Sequence, residues 1–160
     1  MKQSLWLLAI VAFWSQTALA VEKKPLPDFQ VLSSQGHAFS SLQLAGRARS
    51  LIVILSPSDP LSDRLLAAFH GWPETRWISK TTFVVEGKTE EAQKYLAHQL
   101  PDQWQRVTWV SDDSQSARAA LKAPGLPLLV GLDQLEMAWT VSGVLNDPQT
   151  LESIVRSWLK

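Results

Sequence analysis

The sequence SLIVILSPSDPLSDRLLAAF, at residues 50–69, joins an apolar run, a polar break and a helix-period pattern. Residues 51–55 contain no polar position, so a strand built from them would be buried on both faces, as central parallel strands are. Pro57 and Pro60 cannot lie inside such a strand, and the leucines that follow recur at helical spacing. The intervening loop should therefore lie at the carboxyl edge of a sheet, where open α/β proteins usually bind their ligands.

The rest of the chain continues as alternating strand and helix patterns. A hairpin over 29–32 and 37–39 is expected to precede the central strand. Asn146-Asp147-Pro148 is a strong helix start, because it supplies a capping side chain and a proline at the first helical position. The predicted order after the hairpin is β-α-β-α-β-α-β-β-α, with further strands at 81–85, 107–110, 128–132 and 137–141 and helices at 61–71, 89–100, 113–121 (starting at Asp112 or Asp113) and 148–159.

Three landmarks in this order resemble the thioredoxin-like redoxins, especially periplasmic proteins of the TlpA and ResA type. They are Pro27-Asp28-Phe29 at the entry, the buried strand 51–55, and Gly125-Leu126-Pro127 before a later strand. The resemblance implies a three-layer α/β/α sandwich, with a central mixed sheet and an N-terminal hairpin. It also implies a cis peptide bond at Pro127.

The motif that defines redox activity in those proteins, C-x-x-C, is missing. In the register we assign, its four positions are occupied by Pro60, Leu61, Ser62 and Asp63, and the chain contains no cysteine. Thiol-disulfide exchange needs one thiolate to attack and a second sulfur to resolve the mixed disulfide. Dithiol redox chemistry is therefore excluded.

The first 20 residues have the pattern of a secretory signal peptide. Lys2 is followed by an apolar core, and Ala18-Leu19-Ala20 forms a small-x-small cleavage site. Cleavage after Ala20 would leave a thioredoxin-like domain at 21–160 with no membrane span, in the periplasm or secreted. An uncleaved N-terminal anchor is the alternative.

Charge gives no sign of a polyanionic partner. The 15 basic and 15 acidic side chains balance. We therefore expect neither nucleic acid nor anionic lipid as a partner.

The loop 56–63 is rich in polar side chains and offers a first alternative function. Ser56, Ser58, Asp59, Ser62 and Asp63 suggest a cysteine-independent enzyme, but serine, aspartate and proline are also what a strand-to-helix turn uses. No histidine or lysine has a recognisable spacing to a nucleophile, and no G-x-S-x-G elbow is present. We therefore expect capping and no catalytic residue.

The three histidines offer a second alternative, metal delivery, because copper-handling Sco proteins share the thioredoxin scaffold. Those proteins use two loop cysteines together with a histidine. His37, His70 and His98 lie in a hairpin and two helices, without H-x-H or H-x-x-x-H spacing. No metal and no cofactor are predicted.

Binding is the remaining function. In thioredoxin-like proteins the backbone before the cis proline pairs with an extended peptide, which requires no sulfur, and the resemblance places this element at Leu126 and Pro127. Trp72 and Trp77 flank a charged, proline-containing loop, where an indole is harder to bury and can contact a partner; core packing is the alternative for this pair. The sequence thus predicts a protein- or peptide-binding component of an envelope assembly.

Overall fold

The computed structural model describes residues 23–46, 48–73, 77–143 and 147–160. The proposed signal peptide lies outside these residues. The strands are β1 Lys24–Pro25, β2 Gln30–Leu32, β3 Ala38–Ser40, β4 Arg49–Leu55, β5 Thr81–Glu86, β6 Thr108–Asp112, β7 Leu128–Asp133 and β8 Glu136–Ser142. The helices are α1 Pro60–Gly71, α2 Thr89–Gln99, α3 Ser116–Ala120 and α4 Pro148–Trp158, with 3₁₀ turns at Ser41–Gln43 and Ile78–Lys80.

All of these strands form one mixed sheet in the order β1-β8-β7-β4-β5-β6-β2-β3. The strand β4 lies in its middle, parallel to β5 and antiparallel to β7. The predicted hairpin is present as β2-β3, and the structure shows that it joins the sheet beside β6. The predicted alternation of strands and helices is confirmed.

Both faces of β4 are buried, which follows from its uninterrupted apolar sequence. Leu51, Val53 and Leu55 pack into a core covered by α1, α2 and α4. Ile52 and Ile54 face a second core, which is closed by α3 and the N-terminal segment. Each of these five side chains is at most 1% exposed, which makes this a three-layer α/β/α sandwich.

Aspartate side chains cap the N-termini of α1 and α4. The Asp59 carboxylate accepts the Leu61 N–H at 3.2 Å and Pro60 is the first residue of α1. The sequence prediction for α4 is confirmed, since Asp147 accepts the Gln149 N–H at 3.0 Å and Pro148 follows it. Such caps typically contribute about 1 kcal/mol each.

The helix α3 is capped from a distance. Asp112, at the end of β6, is buried and accepts the backbone N–H groups of Ser116 at 3.0 Å and Ala117 at 2.7 Å. Of the two starts that the sequence allows, Asp112 is therefore the cap, although the helix itself begins four residues later.

The strand β1, at Lys24–Pro25, is not part of the predicted order of elements. Lys24 and Pro25 pair with the edge of β8, and the Lys23 Nζ lies 2.7 Å from a carboxylate oxygen of Asp133.

The hairpin β7-β8 turns without glycine, and Gln134 takes the left-handed backbone conformation with φ of 60°. In the described part of the chain, no helix is long and apolar enough to cross a membrane.

Candidate functional site

The predicted site lies where β4 ends and α1 begins. Ile54 is paired with Leu128 across β4 and β7. Because β4 and β7 are antiparallel, the residues after the end of β4 and those before the start of β7 lie at the same edge of the sheet. The sheet topology therefore brings the polar loop and the segment before Pro127 together at the carboxyl edge of β4.

The polar side chains of the loop bind mainly to one another. The Ser62 hydroxyl donates to Asp59 Oδ2 at 3.2 Å and accepts the Ser56 N–H at 3.1 Å. The hydroxyl groups of Ser56 and Ser58 are 3.0 Å apart. This network closes the turn and begins α1, which is the structural role that the sequence favoured.

The same network lacks the parts of a nucleophilic site. Among the described residues, no histidine or lysine is hydrogen-bonded to Ser56, Ser58 or Ser62. A serine hydroxyl is a weak nucleophile unless a neighbouring base accepts its proton. The loop geometry therefore supports capping over catalysis.

The four positions assigned to the missing motif have different environments. Pro60 and Leu61 are exposed, Leu61 by 38%, whereas Ser62 is fully buried. Asp63 is half-buried and accepts the hydroxyl of Tyr95 at 2.9 Å. The side chains that meet at the start of α1 are thus Asp59 and Ser62, three residues apart.

Tyr95, on α2, is a site neighbour that sequence reasoning missed. Burial, and then its hydrogen bond to Asp63, raise the pKa of the Tyr95 phenol. The pair joins two helices from positions 32 residues apart. Its only sequence signal is that Tyr95 is the one tyrosine of the chain and lies near the apolar stripe of α2.

Leu126 and Pro127 lie immediately before β7, and the bond between them is cis, as the resemblance implies. The neighbouring carbonyls are occupied: Gly125 accepts from the Ser142 hydroxyl at 2.9 Å, and Pro127 from the Gly143 N–H at 2.7 Å. In contrast, neither backbone group of Leu126 pairs with another backbone group in the described residues. The Leu126 side chain is anchored in the second core.

Trp72 and Trp77 are not the exposed indoles that the sequence suggested. They are only 8% and 4% exposed. Their ring centroids lie 4.5 and 5.0 Å from that of Phe69, so they continue the first core beyond the end of α1. They belong to the first core together with Phe69 on α1 and Phe83 on β5, so core packing is the role that the structure shows.

The three histidines are exposed and dispersed. His37 lies before β3, His70 near the end of α1 and His98 near the end of α2. A group of three or more metal-ligating side chains does not occur in the part of the chain that the structure describes.

Comparison with known proteins gives a result for the fold alone. No protein-family model and no curated protein matches the sequence. Among solved structures, a putative thiol:disulfide interchange protein DsbE from Chlorobium tepidum is similar with a TM-score of 0.66 and 16% identity. The match covers 86% of this chain and 97% of that one.

Two further structures have the same fold. A secreted Mycobacterium tuberculosis disulfide oxidoreductase homologous to E. coli DsbE matches with a TM-score of 0.61 and 15% identity, over 81% of this chain and 95% of that one. A putative protein disulfide isomerase from Bacteroides thetaiotaomicron matches with a TM-score of 0.62 and 12% identity, over 85% and 88%.

These matches define the class: the chain has a thioredoxin-like α/β fold of the redoxin type. It carries that fold without a single cysteine, and therefore without the thiols on which dithiol exchange depends.

Proposed function

We propose that this chain is a protein- or peptide-binding component of the cell envelope that uses the carboxyl edge of β4 and the segment 125–127. The observation that carries the proposal is that the N–H and C=O of Leu126, a residue only 8% exposed, form no backbone hydrogen bond with any residue that the structure describes. A free backbone N–H and C=O beside a sheet can pair with an extended chain, as in β-strand addition. This mode of recognition requires no sulfur, so it is compatible with a cysteine-free chain.

The surroundings of Leu126 support an apolar contact. The first turn of α1 presents Leu61, 38% exposed, together with the exposed Pro57 and Pro60. Alternate side chains of an added strand would face this turn, because successive residues of a strand point to opposite sides. The polar loop supports the edge by capping α1 and needs no contact of its own.

Localisation in the periplasm or outside the cell is part of the proposal. It depends on the signal-like residues 1–20. Two of the similar structures are described as a secreted disulfide oxidoreductase and an exposed lipoprotein thioredoxin. Detection of the chain in a periplasmic or culture fraction, with Val21 as its N-terminus, would test this part.

Site-specific photocrosslinking tests the binding edge. A photoreactive phenylalanine analogue replaces Leu61, and the matched control replaces Leu135, which is 48% exposed at the β7-β8 turn. Crosslinking in intact cells should yield an adduct from position 61 and none from position 135. Equal adducts from both positions, or none from position 61, would argue against this edge.

A captured partner then allows a test of backbone pairing. A synthetic peptide from the crosslinked segment should bind the purified chain, and Leu61→Asp should weaken binding while Leu135→Asp does not. Methylation of the peptide nitrogen that pairs with Leu126 should also weaken binding, because it removes a donor. Unchanged affinity of the methylated peptide would leave surface packing, and not strand addition, as the mode of contact.

A further inference from the structure

The strand β8 lies next to one end of the sheet, and most of its outer edge is open. The short strand β1 covers this edge only at Glu136 and Met137, which pair with Pro25 and Lys24. Beyond them, no strand in the described part of the chain pairs with the outer edge of residues 139–142. An uncovered edge presents backbone N–H and C=O groups with which another strand can pair.

The backbone groups of Thr140 point outward from this edge. The Gly143 N–H donates to the Pro127 carbonyl, so it points towards β7. Successive residues of an antiparallel strand direct their N–H and C=O groups to alternate sides. Those of Val141 therefore also face β7, whereas those of Thr140 and Ser142 face away from the sheet. The open edge thus has a donor and an acceptor near its centre.

The open edge lacks the features that usually prevent strands of different molecules from pairing. Edge strands of monomeric proteins are commonly protected by charged side chains or by proline. The part of the edge that β1 covers has both, because Lys24 and Pro25 lie there. In contrast, residues 139–142 have the sequence W-T-V-S, with neither charge nor proline. The one irregularity in the β7-β8 pairing lies next to β1, so it leaves this segment available as a regular strand.

An apolar surface continues from this edge onto α4. Trp139 and Val141 pack against the core that α4 covers, and the Trp139 ring lies 5.8 Å from that of Trp158 between centroids. Ile154, which is 36% exposed, lines an open cavity together with these two indoles. Arg49 also lines the cavity and stacks on the Trp158 ring. The open edge and this side of α4 therefore form one largely uncharged surface.

We propose that this surface binds a second copy of the chain, with the two β8 strands antiparallel about a two-fold axis at Thr140. The surface is then the same on both partners, as a two-fold interface requires. Thr140 lies opposite its own copy, and Trp139 lies opposite Val141 of the second copy. Threonine pairs and pairs of an aromatic with a β-branched side chain are favourable across antiparallel strands, and no like charges oppose each other here.

This dimer goes beyond the function proposed above, because it leaves the carboxyl edge of β4 unused. It joins the two sheets into one continuous sheet, with both α4 helices on the same face. Each copy thereby covers the open edge of the other.

A single introduced thiol tests the register directly, because the chain contains no cysteine of its own. Residues that exchange hydrogen bonds across antiparallel strands have Cα atoms about 5.5 Å apart, which is within the range of a disulfide. Thr140→Cys should therefore form a disulfide-linked dimer under mild oxidation.

The matched control is Thr108→Cys, which replaces an exposed threonine on β6. It should crosslink about tenfold more slowly or less, because only a paired interface holds two thiols at a high effective concentration. Equal crosslinking rates of Thr140→Cys and Thr108→Cys would overturn the proposal.

Opposite charges at position 140 give a second test, measured as the mass in solution by light scattering. The wild-type chain should have the mass of two chains, whereas Thr140→Lys and Thr140→Glu should each have the mass of one, because like charges would face each other. An equimolar mixture of the two variants should recover the dimer. Thr140 is exposed, so both variants should keep the fold.

A mixture that stays monomeric would contradict the two-fold register at Thr140. A wild-type chain that is monomeric at every concentration would mean that another segment or another protein covers this edge, and it would also overturn the proposal.

Discussion

The Ser62 hydroxyl lies 3.2 Å from Oδ2 of Asp59, and this contact joins the cap of α1 to its first buried turn. The two side chains are three residues apart and in contact, which is the spacing and proximity that a C-x-x-C disulfide requires. Asp63, which the sequence register assigns to one thiol position, instead contacts Tyr95. The missing C-x-x-C motif therefore has two candidate registers, one with its cysteine positions at 59 and 62 and the other at 60 and 63.

Paired cysteines test which register is correct. Asp59→Cys with Ser62→Cys should form a disulfide under air oxidation, because the two side chains already contact each other. The sequence register predicts the same for Pro60→Cys with Asp63→Cys. Free-thiol titration and the mass of the intact chain measure oxidation. A closed 60/63 pair with an open 59/62 pair would favour the sequence register.

The contact between Tyr95 and Asp63 predicts an alkaline transition that can be observed directly. The pKa of Tyr95 is raised above the value of about 10 for a free tyrosine, so unfolding favours loss of its proton. Its contribution to stability is complete below about pH 10 and declines as the pH rises further. Because the chain has one tyrosine, tyrosinate absorbance reports this residue alone, and should appear only together with unfolding.

The matched variant for this contact is Tyr95→Phe. It should lower the free energy of unfolding near pH 7 by about 1 to 2 kcal/mol, since the hydrogen bond to the half-buried Asp63 side chain is lost. It should also remove part of the decline in stability above pH 10. A tyrosine in the folded wild-type chain that ionises near pH 10 would mean that the contact does not persist in solution.

The burial of Trp72 predicts that this indole stabilises the first core. Trp72→Ala should lower the free energy of unfolding by about 3 to 5 kcal/mol, because it removes a large side chain packed on Phe69. Leu135→Ala, at an exposed turn, should change it by no more than about 0.5 kcal/mol. Urea unfolding of the two variants makes the comparison. A small loss of unfolding free energy in Trp72→Ala would favour an exposed Trp72, in contact with a partner, over core packing.

The effect of a substitution at Gly131, on β7, should depend on the side chain at Trp139, its partner on the adjacent strand β8. A Cβ atom at this position would overlap the ring of Trp139, its partner on β8. Gly131→Ala should therefore destabilise the chain by about 1 to 3 kcal/mol, as overpacking does. The same substitution in a Trp139→Ala background should cost much less, because the obstructing ring is gone. Equal costs in both backgrounds, measured by a double-mutant cycle, would show that the ring moves aside without penalty.

The sequence by itself determined the order and type of the main elements. The apolar run at 51–55 specified a strand buried on both faces, and Asp147-Pro148 specified a helix start. These features are local, because they depend on side-chain alternation, backbone dihedral preferences and capping within a few residues. The absence of cysteine also excludes dithiol chemistry on composition alone, because no arrangement of the chain can supply the missing thiols.

Only the tertiary structure decided which side chains meet. The contact of Tyr95 with Asp63, the pairing of β1 with β8, and the burial of Trp72 and Trp77 join segments that no local pattern connects. Such contacts depend on how helices pack on the sheet and on the register of distant strands, and the same local sequence is compatible with several of these arrangements. For this reason the resemblance located the candidate edge at Leu126, whereas the cavity lined by Trp72, Trp77 and Leu159 came from the packing of α4 against the end of α1.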